Sequence, residues 1–214
     1  MENVEYLKKQ TSILINLYNA KRFEDVVSKG KILIKKFPNQ LLFYNATSLS
    51  LSAIGKDEEA LKILAQALSQ QNNNIHVLNN LGLINGNLNK NKIAREYFDK
   101  ALLINENFID TLVNLANLNL KENRIQEAKE CLDKAAKTSK IPETDIIIYS
   151  ALGQYYQHVG NFKEAINCFN IVNKLNPENM VGGNLERYQQ SNGGGPLEEI
   201  KNDNTPNVNE SIQP

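Results

Sequence analysis

The sequence lacks the features that mark secreted and membrane-spanning proteins. It has no tryptophan and only two cysteines, Cys131 and Cys168, among 214 residues. Two cysteines are too few for the disulfide framework of a small secreted domain. There is no run of about 18 apolar residues, which a transmembrane helix needs, and no signal-peptide core follows Met1. We therefore expect a cytoplasmic protein with no membrane association.

An excess of charge is absent as well. Lys and Arg total 24, Asp and Glu total 24, and the formal net charge is zero. A neutral chain lacks the positive field that gathers phosphate backbones or anionic lipid, so nucleic acid is not an expected partner. A hydrophobic fraction of 41% with 22% charged residues is typical of a folded domain.

Motifs for catalysis, cofactor binding and metal ligation are missing from the sequence. There is no P-loop, no dinucleotide-binding G-x-G-x-x-G and no G-x-S-x-G nucleophile elbow. The two histidines, His76 and His158, have no Cys or His at metal-ligand spacing. We expect no catalytic residue, no metal site and no cofactor, and hence no enzyme.

The sequence does contain an internal repeat, which is the mark of a repeat architecture. Columns of similar residues recur every 34 residues, with one longer step of 37 before the last unit. One column holds Ala60, Ala94, Ala128 and Ala165, and the column four residues later holds Leu64, Phe98, Leu132 and Phe169. Within each unit, apolar residues recur at spacings of three and four on both sides of a short break, which predicts two helices per unit.

The breaks have a composition that ends helices. They are Lys21-Arg22, Gly55-Lys56, Asn89-Lys90, Asn123-Arg124 and Gly160-Asn161. Glycine and asparagine accept the left-handed backbone conformation in which many helices end. We therefore expect a turn between paired helices at each break.

The repeat resembles the tetratricopeptide repeat, whose 34-residue unit reads W-x2-L-G-x2-Y, then A-x3-F, then P. The best match is the last unit, with Tyr149, Leu152, Gly153, Tyr156, Ala165, Phe169 and Pro177. The resemblance implies an all-α solenoid, a right-handed superhelix of about five helix-turn-helix repeats. Within the family, the repeat pattern most resembles bacterial tetratricopeptide proteins and the repeat segments of sulfotransferases and glycosyltransferases.

The resemblance also divides the chain. We expect repeats at 7–40, 41–74, 75–108, 109–142 and 146–179, with Glu143 to Asp145 lengthening the fourth junction. Residues 1–6 are expected to be an N-terminal lead-in, 180–190 a capping helix, and 191–214 a disordered tail or linker.

The resemblance implies a ligand site on the first helix of each unit, because these helices line a concave groove. Many inward-facing positions are asparagine, whose carboxamide donates and accepts hydrogen bonds and can pair with any peptide backbone. The spacing of Asn80 and Asn114 is similar to the asparagine ladder of peptide-binding members of the family. The expected peptide-binding residues are Asn45, Asn79, Asn80, Leu83, Asn87, Asn114, Asn117, Lys121, Gln154 and His158.

From this resemblance we expect a protein-interaction scaffold that binds a peptide or partner segment in the concave groove. The alternative is a substrate-recognition segment of a larger sulfotransferase or glycosyltransferase whose catalytic domain is absent here. Self-association with a second copy of the chain is a further expectation for the partner.

Overall fold

The computed structural model describes residues 2–177, and this part of the chain is helical with no strand. The helices are α1 (Glu2–Asn19), α2 (Phe23–Lys36), α3 (Leu41–Ala53), α4 (Asp57–Gln70), α5 (Ile75–Asn87), α6 (Asn91–Ile104), α7 (Ile109–Lys121), α8 (Ile125–Thr138), α9 (Pro142–His158) and α10 (Phe162–Leu175). The expected capping helix at 180–190 and the tail at 191–214 lie outside the described residues.

The helices form pairs that stack in chain order. Helices α1, α3, α5, α7 and α9, which we call the inner helices, contact one another in series. The outer helices, α2, α4, α6, α8 and α10, pack against the inner helices that flank them, and within residues 2–177 no two outer helices contact each other. The inside of a curved stack is lined by the helices that lie closest together, so the inner helices form the concave face. The predicted all-α solenoid is confirmed.

The two helices of every pair are joined by the same backbone turn. Positive φ angles, between 55° and 78°, occur at Lys21, Gly55, Asn89, Asn123 and Gly160. At the third turn the N–H of Lys90 donates to Asn85 O at 2.9 Å and that of Asn89 donates to Gly86 O at 3.1 Å. The same two bonds recur at the other turns and define the Schellman motif that ends a helix. The predicted breaks are therefore the ends of the inner helices.

The interior of the stack is built from the repeat columns. Ala60, Ala94, Ala128 and Ala165 are all fully buried. A methyl group at these positions lets an outer helix approach its neighbours closely, and a larger side chain would have no space. The alanine column therefore sets the close approach of the helices in the second to fifth repeats, whereas the first repeat has Val26 at this position.

Two helices include residues that lie outside the expected repeats. Residues 2–6 are part of α1, and the Tyr6 ring lies 6.1 Å from the Phe37 ring and 3.9 Å from Lys36 Nζ. Glu143 to Asp145, which lengthen the fourth junction, form the first turn of α9. Their helical state follows from Pro142, because proline is favoured in the first turn of a helix.

Candidate peptide-binding groove

A continuous chain of side-chain hydrogen bonds crosses the middle of the concave face. Asn114 Nδ2 on α7 donates to Asn79 Oδ1 on α5 at 3.0 Å. Asn79 Nδ2 donates to Asn80 Oδ1 at 3.5 Å, and Asn80 Nδ2 donates to Asn45 Oδ1 on α3 at 3.1 Å. We call these four carboxamides the amide relay. It joins three consecutive inner helices.

The middle of the amide relay is buried and its ends are partly exposed. Asn79 and Asn80 are each 6% exposed, and the buried Thr111 hydroxyl adds a 2.9 Å hydrogen bond to Asn79 Oδ1. The end residues, Asn45 and Asn114, are half-buried. Among residues 2–177, Asn45 Nδ2 has no acceptor and Asn114 Oδ1 has no donor. Asn79 and Asn80 therefore tie helices together, and among residues 2–177 one donor at one end of the relay and one acceptor at the other stay unpaired.

A second set of hydrogen bonds lies at the C-terminal ends of the inner helices. Asn87 Nδ2 donates to Ser52 Oγ at 3.2 Å, and Lys121 Nζ donates to the backbone oxygen of Gly86 at 2.8 Å. A cation at the C-terminus of a helix is stabilised by the helix dipole. Lys121 therefore stabilises the contact between α5 and α7 in addition to placing a positive charge in the groove.

A pocket of about 200 Å³ lies between α5 and α7, and we call it the polar pocket. It is lined by Leu83, Gly86, Asn87, Phe98, Asn114, Asn117, Leu118 and Lys121. Five of the ten predicted residues are among these, and Asn87, Asn117 and Lys121 are exposed. The polar pocket offers a ligand amide donors, amide acceptors and one cation.

A larger pocket of about 410 Å³ lies between α1, α3 and the start of α5, and we call it the apolar pocket. It is lined by Ile15, Tyr18, Leu41, Leu42, Asn45, Ala46, Leu49, Asn74 and His76. Asn45 is the one predicted residue in this lining. The prediction did not include the apolar residues at inward-facing positions of the first two repeats, namely Ile15, Leu42 and Leu49, although the repeat pattern marks these positions.

The two remaining predicted residues, Gln154 and His158, lie on α9. Both are exposed and line neither pocket. The structure therefore brings eight of the ten predicted residues together on α3, α5 and α7 and places these two one repeat further along the array.

Two carboxyl groups at opposite ends of α7 have shifted pKa values. Burial raises the pKa of Asp110, and the nearby His76 partly opposes that shift. A hydrogen bond from Arg95 holds the pKa of Glu122 below its usual value, with Arg95 Nη2 at 2.6 Å from Glu122 Oε2. Arg95 also donates to the buried Asn119 at 2.8 Å, so that one guanidinium braces α6 against α7.

Neither cysteine has the environment of a nucleophile. Both are free thiols; burial raises the pKa of Cys131 and raises that of Cys168 to about 12. The protonated thiol is a poor nucleophile and a poor metal ligand.

Within residues 2–177 no group of three or more His, Cys, Asp or Glu side chains could hold a metal ion. No helix in the same range has the length and apolar character to cross a membrane.

Helix pairs stacked in one row, with a groove along their inner helices, define the α-solenoid class of repeat proteins. The sequence model of the tetratricopeptide repeat matches residues 75–108, 109–140 and 147–179. Residues 75–179 of the chain therefore belong to the tetratricopeptide-repeat family. No curated protein matches the sequence significantly.

Solved structures share the fold at low sequence identity. A tetratricopeptide-repeat protein of Thermus thermophilus has a TM-score of 0.74 at 15% identity, over 86% of this chain and 97% of that one. PilW, a type IV pilus biogenesis factor, has a TM-score of 0.66 at 16% identity, over 87% of this chain and 86% of that one. The Cut9–Hcn1 hetero-tetramer of APC/C has a TM-score of 0.72 at 13% identity, over 86% of this chain but 36% of that one. At these identities the similarity shows the fold alone.

Proposed function

We propose that the chain binds an extended segment of a partner protein in its concave groove, with the ends of the amide relay as hydrogen-bonding contacts. Tetratricopeptide repeats form protein-interaction scaffolds, and their curvature creates the binding surface. The observation that carries the finer proposal is that the Asn45 donor and the Asn114 acceptor, at opposite ends of the relay, both lack a partner among residues 2–177. A peptide backbone offers both complementary groups.

The buried middle of the relay supports this role. Asn79 and Asn80 hold the carboxamides of Asn45 and Asn114 in place before a ligand arrives. Side chains that are already ordered lose less conformational entropy on binding. Each hydrogen bond to the ligand then contributes about 0.5–1.5 kcal/mol. Because backbone groups are recognised, the contacts at these two positions are independent of the ligand's sequence.

Partner binding is in keeping with one of the structural neighbours, Cut9, which forms a hetero-tetramer with Hcn1. The alternative, a recognition segment of a sulfotransferase or glycosyltransferase, receives no support from the matches described above.

Peptide selection against the whole chain tests the proposal. Linear peptides selected by phage display would be titrated by fluorescence polarisation against wild type, the Asn114→Ala/Asn117→Ala variant and Asn170→Ala. Asn170 is exposed on the outer helix α10 and is the matched control. Loss of the relay contact at Asn114 and of the exposed Asn117 amide in the polar pocket should weaken affinity by about tenfold or more, whereas the control should bind like wild type. Equal affinity in all three proteins would contradict groove binding.

A further inference from the structure

We infer that the apolar pocket receives an aliphatic, leucine-like side chain of the bound segment, and that Asn45 donates a hydrogen bond to the backbone carbonyl beside it. The inference rests on the proposed function and specifies the chemistry of the partner at one end of the groove.

The charge of the lining is the first reason for an apolar occupant. Among residues 2–177, no Lys, Arg, Asp or Glu side chain lines the apolar pocket, and His76 stands at its edge on the first turn of α5. A charged ligand group would lose part of its hydration there without gaining a carboxylate, ammonium or guanidinium partner, which is unfavourable. An aliphatic group has no such cost and gains from leaving water.

The exposure of the lining is the second reason. Ile15 and Leu42 remain 41% and 40% exposed in the folded array, although both face the pocket. By contrast, Leu14 and Leu51, which pack inside the stack on the same two helices, are fully buried. The fold therefore leaves apolar surface at the pocket that a ligand can cover. A volume of about 410 Å³ is near the lower limit of small-ligand pockets and suits one or two aliphatic side chains.

Asn45 distinguishes a peptide from a plain hydrocarbon chain. Its Oδ1 accepts the 3.1 Å hydrogen bond from Asn80, which fixes the carboxamide and leaves Nδ2 as a donor at the pocket. An internal peptide residue carries a carbonyl acceptor next to its side chain. Its side chain can therefore cover the apolar surface while its carbonyl accepts a hydrogen bond from Asn45 Nδ2. An acyl chain offers no acceptor at that point.

Methyl NMR of the whole chain tests the inference with N-acetyl-leucinamide as the probe, and with N-acetyl-asparaginamide and N-acetyl-lysinamide as comparisons. We expect saturable shifts of the Ile15, Leu42 and Leu49 methyl groups with the leucine probe alone. Leu42→Asn should weaken its affinity about tenfold, and Asn45→Ala about two- to tenfold. Ile93→Asn is the matched control, because Ile93 is 43% exposed on the outer helix α6, and it should bind normally. Ile15→Asn replaces Leu42→Asn if that variant is unfolded.

Several outcomes would overturn the inference. They are the absence of shifts at these methyl groups, unchanged affinity in folded Leu42→Asn and Ile15→Asn, and equal binding of the lysine probe. Shifts that grow with protein concentration in the absence of probe would assign the pocket to a second copy of the chain.

The inference and the proposed function fail separately. If selected peptides depend on Asn114 and Asn117 but not on Leu42, groove binding stands and the inference is wrong. If the leucine probe binds as expected while selected peptides ignore Asn114 and Asn117, the pocket stands and the proposed function is wrong.

Discussion

Gly82 on α5 lies directly against the ring of Phe98 on α6, so that a Cβ atom added to Gly82 would stand 2.4 Å from the ring. The ring is 2% exposed and is held between the two helices of the pair. The last repeat has the same pairing, with Gly153 against Phe169 at 2.5 Å. In both repeats the glycine makes room for the aromatic ring between the two helices of the pair.

Other repeats fill the equivalent space with different partners. The inner-helix position holds Ser48 in the second repeat and Ala116 in the fourth, and the matching outer-helix position holds Leu64 and Leu132. Where the inner helix has a residue slightly larger than glycine, the outer helix has leucine in place of the larger phenylalanine. The volume of the pair is what the packing conserves.

We predict that Gly82→Ala destabilises the array by about 1–3 kcal/mol, because the added methyl group overlaps the Phe98 ring. Urea unfolding followed by circular dichroism measures the change. Gly86→Ala is the control: it lies on the same helix, and its added Cβ would meet Ala94 Cβ at an ordinary 3.8 Å. Alanine is the better helix former, so the control should be neutral or stabilising. Equal destabilisation by both substitutions would contradict the packing account.

Asn79→Ala should destabilise the array by about 1–3 kcal/mol, because it leaves Thr111 Oγ1 and Asn114 Nδ2 without their acceptor. Asn117→Ala is the matched control on α7: Asn117 is exposed, and the substitution should change the free energy of unfolding by less than about 0.5 kcal/mol. If both variants unfold at the same urea concentration as wild type, the relay does not stabilise the stack.

The turn glycines test backbone conformation separately from packing. Gly55 has a φ of +74°, and an added Cβ would meet no atom within 4 Å. Gly55→Ala should therefore cost about 1 kcal/mol through φ alone, whereas Gly55→Asn should cost less, because asparagine tolerates this conformation. Thermal unfolding of the two variants gives the comparison. A larger loss for asparagine than for alanine would show that φ is not the cause.

The fold could be predicted from the sequence because its determinants are local and repeated. Gly55 and Gly160 indicate turns by their conformational freedom, and the alanine column indicates close helix packing by its period. Pro142 likewise indicates the start of α9, because proline is favoured at the first position of a helix. The three extra residues of the fourth junction, Glu143 to Asp145, lie inside this helix.

The repeat alone could not predict which groove asparagines bond to a neighbouring helix and which remain exposed. Asn79 and Asn80 are adjacent, and successive residues of a helix point about 100° apart, so which amide faces a neighbouring helix depends on the rotation of α5. That rotation is set by packing against both neighbours. The sequence pattern marked the asparagines as inward-facing, but only the stacked helices show that two of them bond to each other.

The ion pair between Arg95 and Glu122 predicts a pH dependence of stability. The hydrogen bond from Arg95 lowers the pKa of Glu122 in the folded chain. The contribution of this ion pair to the free energy of unfolding is therefore complete above the unfolded pKa of about 4.3. It is lost as the pH falls through the lower pKa of the folded state. Glu122→Gln should flatten the acid side of the stability profile in urea titrations between about pH 3 and 7. Glu96→Gln, an exposed carboxylate on α6, is the control and should follow wild type. A wild-type slope in Glu122→Gln would contradict the assignment.

The most direct test of groove binding is backbone amide NMR of the whole chain with the tightest selected peptide. We predict that the largest chemical-shift changes fall on inner-helix residues that line the two pockets, among them Leu42, Asn45 and Asn117. The largest changes on exposed outer-helix residues such as Ile93 and Leu103, with the inner helices unaffected, would contradict it.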